Sequence, residues 1–215
     1  MIYRTAIGSI LLLLGILPSC TQDSMVGKGG SSETVNAQLI IQDSAVSLTI
    51  PDNQAETVEL QPFAPTYRPY EHTGYAGAPV TASGNALIWT APTTGMYNFL
   101  LSIPQKQMSG LLENVELRQG ITDTFFCALG LSHTITGVIT SADRSAGPQQ
   151  YALSIYGTPF YAVSVNNGFR IDNVPDGQFT LRVRSTAKKL FITTSAYSIS
   201  TKAFEPSTRL DVVIP

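Results

Sequence analysis

Apolar and polar residues alternate with a period of two along most of the chain beyond residue 34. In the segment 177–184, Phe179, Leu181 and Val183 fall on one side, and Gln178, Thr180, Arg182 and Arg184 on the other. That is the pattern of a half-buried antiparallel strand. Residues 134–140, 168–174 and 209–214 alternate in the same way. A helical period is nearly absent. The weak exception, 106–118, is interrupted by Gly110, which disfavours a helix interior. Turn residues at 143–144, 157–159, 166–168, 175–177 and 205–207 cut the last third into about seven short strands, the spacing of a Greek-key sandwich. The pattern therefore predicts an all-β protein.

One motif occurs twice. Pro92-Thr93-Thr94-Gly95-Met96-Tyr97-Asn98-Phe99-Leu100-Leu101 matches Pro175-Asp176-Gly177-Gln178-Phe179-Thr180-Leu181-Arg182-Val183 from the glycine onward. Each has a turn glycine, an aromatic residue at plus two and apolar residues at plus four and plus six. The glycines lie 177 − 95 = 82 residues apart, one sandwich-sized unit. Two tandem β-sandwich units are expected, 35–131 and 132–215, with the boundary near Leu131-Ser132. Before them, residues 20–34 hold the tract Gly27-Lys28-Gly29-Gly30-Ser31-Ser32. Such a linker is flexible, with a reach of about 20 Å.

Residues 1–19 differ from the rest. Arg4 precedes an apolar run from Ala6 to Leu17 that is shorter than a membrane span and stops at Leu17-Pro18-Ser19-Cys20. This resembles the lipobox of bacterial lipoproteins, with an aliphatic residue three positions before a Cys that becomes the first residue after cleavage. The resemblance implies diacylglyceryl transfer to Cys20 and acylation of its amine. Each buried CH₂ contributes about 0.8 kcal/mol, so two or more chains hold a protein stably to a bilayer. With Thr21 rather than Asp after the Cys, the resemblance leans toward the outer membrane. Once Cys20 is acylated, Cys127 has no intrachain thiol to pair with. Within Thr124-Phe125-Phe126-Cys127-Ala128-Leu129 it reads as a buried, inert thiol.

The second unit resembles the carboxypeptidase regulatory-like domain, a transthyretin-like (prealbumin-like) β-sandwich. Ile135-Thr136-Gly137-Val138-Ile139 is similar to that family's opening strand. Leu153-Ser154-Ile155-Tyr156-Gly157-Thr158-Pro159-Phe160-Tyr161-Ala162 is similar to its strand pair, and 168–181, containing Asn173-Val174-Pro175-Asp176-Gly177, to its most specific stretch. The family's usual Asp before that stretch is missing from Val165-Asn166-Asn167-Gly168. The first unit is more degenerate. Glu56-Thr57-Val58-Glu59-Leu60-Gln61-Pro62 and Gly84-Asn85-Ala86-Leu87 keep traces of the pattern, and Gly110–Gly120 reads as a closing strand. The family's domain is an accessory to catalytic ones, so the resemblance implies a non-catalytic module.

Candidate chemistry is sparse. The chain has 215 residues, of which 13% are charged, and a net charge of −2. Lys188-Lys189 is its only adjacent basic pair, so nucleic acid is not an expected partner. His72 and His133, the two histidines, have no carboxylate at ligand spacing, and no metal or other cofactor is expected. Nucleophile-elbow, phosphate-loop and dinucleotide motifs are missing. No catalytic residue is assigned and no enzyme is expected. The sharpest binding candidate is Pro65–Tyr75, whose Tyr67, Tyr70 and Tyr75, with Trp89, could stack on a sugar or peptide. The blander reading is a long hairpin whose tyrosines cover the sandwich. The expectation is a lipid-anchored extracytoplasmic lipoprotein of the cell envelope, held to the membrane at Cys20 and serving as a structural or protein-interaction module. Alternatives are a carbohydrate-binding surface protein and an accessory subunit of an envelope complex.

Overall fold

The computed structural model describes residues 35–42, 45–49, 57–83, 87–141, 150–186, 195–201 and 207–214. Cys20, the expected leader before it, the Gly/Ser tract and the expected turns at 143–144 and 205–206 lie outside them. The chain is all-β. Strands β1 (Val35–Gln42), β2 (Ala45–Thr49), β3 (Thr57–Phe63), β4 (Val80–Ser83), β5 (Leu87–Thr90), β6 (Gly95–Ile103), β7 (Met108–Leu117) and β8 (Thr122–Leu131) form the first unit. The second holds β9 (His133–Ser141), β10 (Tyr151–Ile155), β11 (Tyr161–Val163), β12 (Gly168–Val174), β13 (Gly177–Ser185), β14 (Ser195–Thr201), β15 (Ser207–Arg209) and β16 (Val212–Ile214). Among the described residues the only helical turn is Pro104–Lys106. The weakly helical stretch 106–118 is strand β7 instead. Its outer residues face a neighbouring sandwich, so both of its sides carry apolar residues and the period of two is blurred.

In the first unit the strands run in the order β4-β3-β6-β7-β8-β1-β2-β5. Only two residue pairs, Met108↔Leu131 and Ser109↔Gly130, join β7 to β8, so the ribbon folds there. Its halves then face each other across one core that includes Leu39, Leu48, Leu60, Trp89, Phe99, Leu101 and Leu129. The closing strand expected at 110–120 is β7, and β8 follows it to end the unit. In the second unit the order β11-β10-β13-β14 faces β12-β9-β15, with β16 continuing along β9. Its core includes Ile135, Leu153, Phe169, Ile171, Phe179, Leu181 and Val183. The expected alternation in β13 is present, with Phe179, Leu181 and Val183 buried. Gly137 sits where the chain between β15 and β16 crosses β9. A Cβ there would collide with the Leu210 carbonyl oxygen and come within 2.7 Å of the Phe169 ring, which explains a glycine in mid-strand.

The sequence repeat is a structural repeat. β6 lies between β3 and β7 as β13 lies between β10 and β14, and Gly95 (φ 143°) and Gly177 (φ 154°) open the two strands. Register carries the match further. Glu59↔Thr81 and Leu60↔Val80 in the first unit correspond to Ala152↔Val163 and Leu153↔Ala162 in the second. Buried Leu87 and Trp89 correspond to buried Phe169 and Ile171 at the same offset of 82. Leu60 and Leu153 are 153 − 60 = 93 apart, so the first unit holds 93 − 82 = 11 extra residues between β3 and β4. That is the difference between the β3–β4 connection, 64–79, and the turn 156–160 joining β10 to β11. Two further departures set the first unit apart. β2 lies between β1 and β5 where β12 pairs directly with β9, and β8 runs antiparallel to β1 where β15 and β16 run parallel to β9.

Candidate functional site

The extra residues of the first unit lie on the second. Within 64–79 the backbones of Arg68 and Thr73 pair (Arg68 N to Thr73 O 2.8 Å), closing a four-residue turn over Pro69-Tyr70-Glu71-His72. The Gly157 N–H donates to the Tyr67 carbonyl at 2.8 Å, tying the base of that turn to the corresponding turn of the second unit. Side chains then meet the outer face of β11-β10-β13. Glu71 Oε1 lies 2.8 Å from Arg184 Nη1, whose guanidinium also covers the Tyr70 ring at 5.7 Å. Tyr70 and His72 lie 6.3 and 6.2 Å from the Tyr161 ring. Ala152 and Ser154, on the face of β10 opposite Leu153, are buried as well.

The body of the first unit contributes the rest of the contact. Leu100 on β6 and Leu111 on β7 are direct cross-strand partners, and both pack against the core of the second unit. Between them and the turn, Asn98 points out of the first sandwich yet is only 3% exposed. Its Nδ2 donates to the Gly157 carbonyl at 3.0 Å, and its Oδ1 accepts from the Asn114 N–H at 2.9 Å. Asn114 has φ 56° and sits where the β6–β7 register slips, so the freed amide of a bulge is satisfied by the interface asparagine. Near the connector, Ser132 N–H donates to the Gln107 carbonyl at 2.7 Å, and the Ser109 and Ser132 hydroxyls are 2.8 Å apart. Buried His133 pairs through Nε2 with Asp176 Oδ1. No local spacing could reveal a carboxylate 43 residues downstream of that histidine.

The four aromatic residues proposed as a stacking platform do not gather on one face. Trp89 is an inward residue of β5, 9% exposed, set edge-on against Tyr97 and Phe99 at 5.5 Å each. Tyr75 packs edge-on against Tyr97 at 5.7 Å. Burial, and then the nearby Tyr97, push its hydroxyl pKa up. Tyr67 leans on Phe63 at 5.4 Å. Of the four, Tyr70 sets its ring against an aromatic ring of the second unit, and Tyr67 meets that unit through its backbone carbonyl. Trp89 is inward because of the alternation of β5: the parity that buries Leu87 buries Trp89 too. Burial pushes the Cys127 thiol up to about 12.

Two other features carry chemistry. Arg68 of the first unit and Arg182 of the second converge on the Tyr156 ring, at 5.5 and 4.7 Å from its centroid. On the far side of the first unit, the outward face of β8-β1-β2-β5 carries Thr124, Phe126, Ala128, Gln38, Ile40, Ser47, Thr49, Ile88 and Thr90, in register as Phe126↔Gln38↔Thr49 and Thr124↔Ile40↔Ser47↔Ile88. None of these positions is charged, and Phe126 and Ile88 are 66% and 69% exposed. Among the described residues, no group of three or more His, Cys, Asp or Glu side chains could hold a metal ion, and no helix is long and apolar enough to cross a membrane.

No family model and no curated protein matches the chain. Among solved structures, the TIE protein of Bacillus anthracis aligns over 87% of this chain with 10% identity and a TM-score of 0.31. The chain spans 41% of that protein's length. The major pilin subunit of Bacillus cereus aligns over 84% of this chain and 70% of its own, with 10% identity and a TM-score of 0.29.

Proposed function

We propose that the chain is a lipid-anchored envelope protein without catalytic function, whose paired sandwiches present a binding surface to another protein. The carrying observation is the charge-free outward face of β8-β1-β2-β5, with Phe126 and Ile88 standing in solvent. Covering a phenylalanine or isoleucine side chain stabilises an interface by about 1.5–3 kcal/mol, and a flat face without ions loses little in desolvation. The lipobox-like Leu17-Pro18-Ser19-Cys20 supports the anchor and the resemblance to accessory β-sandwiches the non-catalytic role. In this reading the protein sits in the cell envelope, on the outer membrane, and its partner is another envelope protein.

Two measurements test the two halves of the reading. Labelled palmitate should enter the wild-type chain and not Cys20→Ala; an unlabelled wild type refutes the anchor. A photo-crosslinking amino acid at position 126 should trap one envelope protein in stoichiometric yield, and Ile88→Lys should abolish the adduct. An adduct that survives Ile88→Lys, or none at all, refutes the surface.

A further inference from the structure

Six arginines lie among the described residues. Four of them hold a carboxylate: Arg118 with Glu116, Arg170 with Asp172, Arg184 with Glu71 and Arg209 with Asp211. The two with no carboxylate within 4 Å, Arg68 and Arg182, are the pair that meets at Tyr156. Both rest on the ring without a neutralising carboxylate, and such a guanidinium gains most from a planar oxyanion that accepts two hydrogen bonds at once. Their positions are fixed by backbone. The Gly157 N–H bond to the Tyr67 carbonyl sets Arg68 beside Tyr156. The register Ser154↔Arg182 sets Arg182 on the outer face of β13. Arg68 is exposed, and Arg182 and Tyr156 are half-exposed, so solvent reaches the site.

From these observations we infer a composite anion site, completed only when the two units are docked, for an acidic saccharide. Its carboxylate bridges the Arg68 and Arg182 guanidiniums. The choice of a saccharide over a simple ion rests on the neighbouring ring. Ser154 pairs with Arg182 on one side and with Tyr161 on the other, so Arg182 and Tyr161 stand two strand spacings apart, about 10 Å. Between them is small, buried Ser154. Tyr161, flanked by Tyr70 and His72, keeps 42% of its surface exposed, and that part offers a ring on which the apolar face of a pyranose can stack, with its ring-borne carboxylate directed to the arginines. This site lies on a different face from the charge-free surface and does not depend on it.

The test is calorimetric titration of the folded chain with tetragalacturonate, a neutral cello-oligosaccharide, a tetraglutamate peptide and inorganic phosphate as separate probes. Tetragalacturonate should bind, and added salt should weaken it. Arg68→Gln and Arg182→Gln should each lower its affinity about tenfold or more. Tyr161→Ala should lower it without changing the response to phosphate. Thermal melting of each variant separates loss of the site from loss of the fold. No tetragalacturonate binding overturns the site, as does binding left intact in the two Gln variants while they melt like the wild type. Equal binding of tetraglutamate, or of phosphate alone, overturns the saccharide assignment, and binding of the neutral oligosaccharide overturns the role of the arginines. None of these outcomes bears on palmitate labelling or on the crosslink at position 126.

Discussion

Replacing Asn98 with Ala should uncouple the two units. The side chain is buried, and both ends of its amide are used. Nδ2 reaches the Gly157 carbonyl at 3.0 Å in the buried interface, and Oδ1 takes the Asn114 N–H at 2.9 Å nearer solvent. Truncation leaves the carbonyl without that donor in a place water does not enter, at a cost of about 1–3 kcal/mol. The Asn114 amide lies on a half-exposed bulge and can be rehydrated, so its loss adds only about 0.5–1 kcal/mol. The sum is about 1.5–4 kcal/mol. For a cooperative unit of 150–250 residues each kcal/mol lowers Tm by about 2–4 °C, so the drop should be about 3–16 °C. Asn98→Asp keeps the shape but turns a carboxylate oxygen toward the Gly157 carbonyl, and should cost more than the alanine. Scanning calorimetry measures both. A melt within 1 °C of wild type for Asn98→Ala, or an aspartate variant more stable than the alanine, would refute the reasoning.

Gly157→Ala should be at least as damaging as Asn98→Ala, because φ is +71° and a Cβ would collide with Asn98 Nδ2 and lie 3.0 Å from the Pro65 carbonyl; the same calorimetry checks it. Trp89→Ala should destabilise the first unit by about 3–5 kcal/mol, read from denaturant unfolding followed by circular dichroism. In the wild type the single Trp should resist acrylamide quenching until the chain unfolds. The Cys127 thiol, pushed up to about 12 by burial, should be inert to a disulfide reagent in the folded chain at pH 8 and react in full once unfolded. Since folding raises this pKa from 9.0, the thiol's contribution to stability is whole below pH 9 and declines as pH rises toward 12. Cys127→Ala should flatten stability across that window, and an unchanged slope would count against the assignment.

The alternating strands and the repeat were legible because each depends on local parity. The glycine and the three inward residues after it keep the same spacing in β6 and β13. The docking of the units was written more faintly. Phe99-Leu100-Leu101 breaks the alternation because Leu100 is outward in its own sandwich and inward at the interface. Asn98 has the parity of an outward polar residue, and its burial depends on a turn 59 positions away. The tyrosine-rich segment was visible as unusual composition. Its role depended on which residues of the second unit stood opposite, and no spacing within 65–75 contains that. The inward side of Trp89 is illegible for a simpler reason: β5 is four residues long, too short for the alternation to declare which side is inward.

Comparing equivalent positions in the two copies shows why their outer faces are not interchangeable. At the offset of 82, Asn98 and Leu100 correspond to Thr180 and Arg182. The outer face of β6 is therefore apolar or hydrogen-bonded across the interface, and the same face of β13 is polar and charged. A third sandwich docking on β13 as the second docks on β6 would have to bury Arg182 where Leu100 sits. Burying such a charge without a partner costs several kcal/mol, whereas burying a leucine at that position stabilises by about 1.5–3 kcal/mol. The 11-residue insertion acts from the other side, because it occurs in the first copy alone and reaches forward over the second. One substitution pattern thus makes the two outer faces unequal, and one insertion ties the first unit to the second. Arg182, which makes that difference, is also one of the two arginines that meet at the Tyr156 ring.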